Sequence, residues 1–322
     1  MTEAAETAVQ SSSVIGGLVE DYLASCRAKG LSPKTIKLAY GYPLKGVFVP
    51  WCGRVGIAAP AQLTTRLLER FSAELMETGG KRGELSQNTV WSYVKAVRGF
   101  LAWARSEGEG VDAEAKLPKL PQRHIDVLSR EEVQRMEDVA DSERDKLIVR
   151  MLADTGVRVG ELVKLRERDL VEQSRTEAFL RVVGRSQGGG AKGDRYRMVP
   201  LSPALARRVR RYVGRSRPAD ATSDRLFVSR RRSANGGYEA ITESGVQQMV
   251  RDLAERAGIR KRVHPHLFRH SAATFMLQRG MNPLLVAQVL GHTSLAMIQR
   301  VYAHLTPTDA HQALMQALRT DA

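Results

Sequence analysis

Apolar residues recur at three- and four-residue intervals along most of this chain, and the breaks in that rhythm divide it into segments. Leu18, Tyr22 and Leu23 mark one face of a first helix, which Gly30 closes. Ser32-Pro33 follows as an N-cap with proline at the first helical position. A third helix is predicted from Thr64 to Met76, ahead of Gly79-Gly80. A fourth starts near Ser86 and carries Val90, Tyr93, Val94, Val97 and Leu101 on one face. These four helices predict a small helical domain over residues 14–107, preceded by a polar, flexible tail over residues 1–13. Residues 108–124 hold Gly108, Gly110, Pro118 and Pro121 among charged side chains, which is linker composition.

A second domain is predicted over residues 125–322. Ser129 with Glu132 forms a capping-box pattern, and helices follow to about Leu165. The period then changes to two. Ala178–Val183 and Tyr196–Leu201 read as a β-hairpin, joined by a loop from Gly184 to Asp194 with three consecutive glycines. Helical segments return around Pro203–Arg217, Thr242–Ala257, Pro265–Arg279, Pro283–Leu290, Ser294–Leu305 and Pro307–Leu318. The fold class is therefore mainly α with a small β-sheet.

Composition changes this picture mainly through charge. The 322 residues include 50 Lys+Arg against 35 Asp+Glu, a net +15 that attracts polyanions, of which nucleic acid is the commonest large one. Only Cys26 and Cys52 occur, too few for a disulfide framework or a zinc cluster. No run of about 18 apolar residues exists to span a membrane, and residues 1–13 lack the basic start and apolar stretch of a secretory signal. The expected location is cytoplasmic.

Five places could carry chemistry. Thr155-Gly156-Val157-Arg158-Val159-Gly160-Glu161 sets Arg158 at the start of a helix, where its planar fork can meet a phosphate; a surface arginine is the plainer reading. In His264-Pro265-His266-Leu267-Phe268-Arg269-His270, proline opens a helix that brings His266 and Arg269 onto one face, a proton carrier beside a fixed cation. Zinc is the competing reading of three histidines in seven residues, but no cysteine or well-placed carboxylate completes a site. His270 falls on another face. Leu290-Gly291-His292 ends a helix and projects His292 from a corner. Tyr302, ten residues on, is either a core tyrosine or a nucleophile whose phenol, with a free pKa of about 10, needs nearby cations. Lys192 stands alone between Lys164 and Lys261 in a stretch rich in arginine. Lysine, unlike arginine, can give up a proton at working pH; a solvated loop lysine is the alternative.

Taken together and in this order, these motifs resemble those of the tyrosine recombinase (phage integrase) family over nearly the whole chain. The Thr155–Glu161 turn, the hairpin Lys192 followed by Arg197 and Pro200, the His266–Arg269 motif, Leu290–His292 and Tyr302 each fall on a family motif. Val157 and Phe268 stand where leucine is commoner, and Gly188-Gly189-Gly190 lengthens the hairpin loop. The resemblance implies a helical core-binding (SAM-like) N-terminal domain and an α+β catalytic domain. It implies catalytic roles for Arg158, Lys192, His266, Arg269, His292 and Tyr302, with Glu161 as a buttress. It also implies cleavage and rejoining of double-stranded DNA through a 3′-phosphotyrosine, without metal, cofactor or ATP, by a homo-tetramer on DNA. It leaves room for an accessory directionality protein, and points to a Xer-like enzyme or a short phage or transposon integrase. The rivals are a type IB topoisomerase-like enzyme and a catalytically silent DNA-binding protein of the same fold.

Overall fold

The computed structural model describes residues 14–78, 84–120, 126–183 and 196–291. They fall into two compact units, residues 14–120 in the first and the remainder in the second. Each has its own apolar core.

In the first unit, helix α1 (Val14–Ala28) buries Ile15, Val19, Tyr22, Leu23 and Cys26. Gly30 turns the chain at φ +77°, and the Ser32 hydroxyl accepts the Thr35 N–H at 3.1 Å to start the next helical stretch. That stretch passes through two π-helical turns, Ile36–Gly41 and Leu44–Phe48, before α2 (Val49–Arg54). The widening has a cause in the sequence. Pro43 and Pro50 have no N–H, and in a regular helix each ring would collide with the carbonyl four residues back. The Tyr42 and Val49 N–H groups reach instead to Lys37 and Leu44, five residues back. Helices α3 (Thr65–Thr78) and α4 (Gln87–Ser106) complete the unit. Its centre is aromatic: Trp51 and Phe71 sit 5.1 Å apart, and Phe48 meets Phe71 edge-on at 5.4 Å. The Trp51 indole N–H is satisfied by Glu74 at 2.9 Å.

The second unit opens with α5 (Arg130–Asp138), held by the Ser129–Glu132 capping box. Helix α6 (Glu143–Thr155) is buried along most of its length, packs against α5, and ends at Gly156 in the left-handed region, φ +61°. A short helix, α7 (Val159–Leu162), follows. The sheet contains the expected antiparallel pair, β2 (Ala178–Val183) and β3 (Tyr196–Leu201). It also contains a strand not expected from the sequence, β1 (Leu170–Glu172), paired with β2. Three residues are too few for alternation to be visible, so β1 is created by pairing. Ala178, Leu180 and Val182 face the core, opposite Leu201, Val199 and Arg197. Helices α8 (Pro203–Arg211), α9 (Glu243–Arg256), α10 (Pro265–Gln278) and α11 (Pro283–Leu290) surround α6 and the sheet. Helix α8 continues into a π-helical turn, Tyr212–Ser216.

Candidate active site

Three arginines from three separate parts of the second unit meet at one helix end. The last carbonyls of a helix have no partner within it, and they form the negative end of its dipole. At the C-terminus of α11, Arg197 Nε donates to the Val289 carbonyl at 2.8 Å. Arg269 donates to the Leu290 carbonyl at 2.5 Å, and Arg158 to the Gly291 carbonyl at 3.1 Å. Gly291 closes the helix at φ +67°.

Arg158 is placed by the turn before it. Gly156 takes a backbone conformation open to glycine, and a Cβ there would lie 2.5 Å from Leu290 and 3.1 Å from Ala272. The sharp turn leaves Arg158 at the N-cap of α7, with its side chain 40% exposed. Arg269 is its opposite, on the inner face of α10 and only 4% exposed. Its other guanidinium nitrogen donates to the Gly156 carbonyl at 2.6 Å, so one side chain ties the α6–α7 turn to the end of α11.

Glu161 is the anion among these cations. Arg197 grips its carboxylate with two bonds of 2.9 and 2.8 Å. The Arg158 backbone N–H and guanidinium donate to it at 2.9 and 3.0 Å. Burial pushes the Glu161 carboxyl up, but the Arg197 hydrogen bonds and charge, then the N–H and charge of Arg158, outweigh it and hold the group below its ordinary range. Arg269 is driven the other way. Burial first, and then the neighbouring Arg158 charge, pull it down to about 9, so it stays a cation at neutral pH. Three guanidinium groups against one carboxylate leave an excess of two positive charges among the described residues here. Such a site favours a dianionic or developing phosphate charge.

His266 sits one turn before Arg269 on α10 and has an exposed edge. Lost hydration, followed by the charges of Arg269 and Arg158, shifts its pKa below the ordinary histidine value, so the ring is neutral at pH 7 and able to take a proton. His264 caps the same helix, its Nδ1 accepting the Leu267 N–H at 3.2 Å. His270 is partly buried, and burial, then His266 and His264, lower it as well. No group of three His, Cys, Asp or Glu among the described residues is arranged to hold a metal ion.

The structure thus brings together Arg158, Arg269 and His266 of the expected set. Lys192, His292 and Tyr302 lie outside the described residues. In the sequence Arg197 is marked only by its offset from Lys192. The alternation of Arg197 with Val199 and Leu201 carries a further signal, because a charged side chain on the apolar face of a strand requires a buried partner.

A mainly helical body with a small antiparallel sheet is the fold of tyrosine recombinase catalytic domains. Two solved structures share the fold. One is the XerH site-specific recombinase bound to a palindromic difH substrate, with TM-score 0.69 and 23% identity, covering 92% of this chain and 83% of that one. The other is the Tn1549 transposon integrase in complex with a circular intermediate DNA, with TM-score 0.69 and 17% identity, covering 94% and 99%. The chain belongs to the phage integrase family, whose family model matches residues 126–309. Its relatives include the tyrosine recombinase XerA of Pyrococcus horikoshii, 29% identical over 303 residues and 93% of each chain. The XerA of Pyrococcus furiosus is 32% identical over 257 residues, 79% of this chain and 81% of the relative. By family, then, it is a site-specific DNA recombinase.

Proposed function

We propose that this chain cleaves and rejoins double-stranded DNA through Tyr302, with Arg158 and Arg269 holding the scissile phosphate. The observation that carries the reading is the convergence of those two arginines on adjoining carbonyls at the end of α11, with His266 one turn from Arg269. Transfer of a phosphoryl group depends on positioning and on stabilising spread negative charge, and fixed guanidinium groups supply both. The Tyr302 oxygen attacks phosphorus and the bond to the 5′ oxygen breaks, leaving a 3′-phosphotyrosine. Lys192 gives a proton to the departing 5′ oxygen, His266 takes the proton of Tyr302, and His292 hydrogen-bonds the phosphate. Attack by a 5′-hydroxyl on the phosphotyrosine reverses the step. The covalent link conserves the phosphodiester energy, so the reaction calls for neither ATP nor a cofactor.

Exchange between two duplexes needs a cut on each strand, which gives four protomers on the DNA. A Xer-like role fits relatives named XerA, and an accessory protein could set direction. The enzyme works where the DNA is, in the cytoplasm. The test is covalent trapping: wild type and Tyr302→Phe mixed, in EDTA, with nicked duplexes from the DNA flanking the gene. An adduct that survives denaturation with wild type alone supports the reading. An adduct with both proteins names the wrong tyrosine, and specific binding with no adduct favours a silent DNA-binding protein.

A further inference from the structure

Arg197 belongs to none of the roles assigned above, yet its side chain hydrogen-bonds both Glu161 and the end of α11. It leaves β3 on the core face, opposite Val182, where every other residue of the pairing is apolar. Its guanidinium spends all three nitrogens: Nε on the Val289 carbonyl, and the other two on the two oxygens of Glu161. Glu161 passes the contact on, because each of those oxygens also receives a bond from Arg158, one from the backbone and one from the side chain. Arg197 also lies flat against the corner that ends α11. A Cβ on Gly291 would meet its Cδ, Nε and Cζ at 3.0 Å. The side chain is 15% exposed, against 40% for Arg158, so it offers little surface to a substrate.

We propose that Arg197 is a positioning residue that joins Arg158, through Glu161, to the α11 corner ending at Gly291, so that the phosphate-gripping arginine and that corner move as one body. This rests on the functional reading given above. The planar fork is what the place requires. It meets a carboxylate with two parallel bonds and still has Nε to give to a carbonyl at the side. Lysine carries the charge but would reach one of these acceptors at a time. Without the fork, Glu161 keeps only its bonds from Arg158, and the Val289 carbonyl loses its partner. Arg158 then loses the fixed anion that aims it.

Two measurements test this, one of them independent of DNA. In the first, the Glu161 carboxyl is titrated by 13C NMR in wild type, Arg197→Gln and Arg197→Lys. The charged groups facing it are Arg158 on its own turn, Arg197 from β3 and Arg269 from α10. Glu161 should titrate at higher pH in Arg197→Gln, and between the two extremes in Arg197→Lys. In the second, the single-turnover rate of adduct formation and the affinity for the same nicked duplex are measured together. Misplacing a reacting group by about 1 Å costs about 100-fold in rate. Arg197→Gln should therefore lose about 10- to 100-fold in rate at nearly unchanged affinity, with its acid limb moved to higher pH, and Arg197→Lys should recover part of the rate. Glu161→Gln/Arg197→Gln removes both buried charges while keeping a hydrogen-bonding pair. It should fold and lose rate as the single variant does.

Wild-type rates in all three variants would overturn the proposal, as would an unmoved Glu161 titration. So would a rate, affinity and melting temperature that fall together, since that marks a structural role alone. If wild type itself forms no adduct while Glu161 shifts in Arg197→Gln, the strut stands and the functional reading fails.

Discussion

The site's chemistry depends on how few groups are asked to do two things. Arg269 both bridges the Gly156 and Leu290 carbonyls and lends its charge to the site. Lysine cannot span both carbonyls with a planar fork. Arg269→Lys should therefore form the covalent DNA adduct about 100-fold more slowly in single-turnover trapping, the order expected for losing one fixed transition-state donor. His264, His266 and His270 are all shifted downward by lost hydration first and neighbouring charge second. A histidine whose folded pKa is depressed binds its proton more readily when unfolded. Its contribution is complete above the ordinary value of about 6.5 and fades as pH falls through the folded value. Urea midpoints should thus be flat from pH 8 to 7 and decline below about pH 6.5. They should decline less in His270→Asn; an unchanged slope in that variant would remove His270 from the account.

Among the elements, turns and caps decide where the side chains of the candidate site point. At Gly156, both the positive φ and the missing Cβ are needed. Gly156→Ala should cost about 3 kcal/mol, combining backbone strain with forced repacking of Leu290 and Ala272, read from denaturant unfolding. Helix α10 begins with an unusual cap, the His264 ring, on an N–H that also reaches the His264 carbonyl at 2.9 Å. The shared bond makes this a weak cap, so His264→Ala should cost no more than about 1 kcal/mol, and His264→Asn should restore the loss. A larger loss unrescued by asparagine would mean the ring matters by packing. Behind α10, the Ser271 hydroxyl accepts the Leu128 N–H at 2.7 Å and pins the entry of the second unit to the helix carrying His266 and Arg269.

For the molecule as a whole, charge is the property that reaches furthest. The net +15 is not neutralised by the ion pairs, many of which are arginines holding the fold together: Arg150 and Arg208 on Glu137, Arg144 on Asp145, Arg181 on Asp169. Exposed Arg207 and Arg211 on α8 have no such pairing among the described ion pairs. Binding to a DNA duplex should release counterions, so the logarithm of the affinity should fall linearly with the logarithm of salt concentration. Arg158→Ala should make that slope shallower by about one contact; a slope unchanged by the substitution would place Arg158 off the phosphate. No helix among the described residues is long and apolar enough to cross a membrane.

Much of this was already fixed by local pattern. Helical periods, the Ser129–Glu132 capping box, the proline at the start of α10, the glycines at 156 and 291, and the paired strands β2 and β3 all depend on neighbours within a few residues, and such interactions are visible along a chain. The motif residues were legible too, because Arg158, His266 and Arg269 each follow a local turn or helix start. Three features were not. The π-helical turns at Pro43 and Pro50 keep a helix going where proline suggests a stop. Strand β1 exists because β2 offers it an edge. The meeting of Arg158, Arg197 and Arg269 on the consecutive carbonyls of Val289, Leu290 and Gly291 joins residues up to 133 positions apart. Only tertiary packing could decide that: unpaired carbonyls at a helix end, a buried carboxylate and three guanidinium groups must all be satisfied at once, and no short stretch of sequence contains the set.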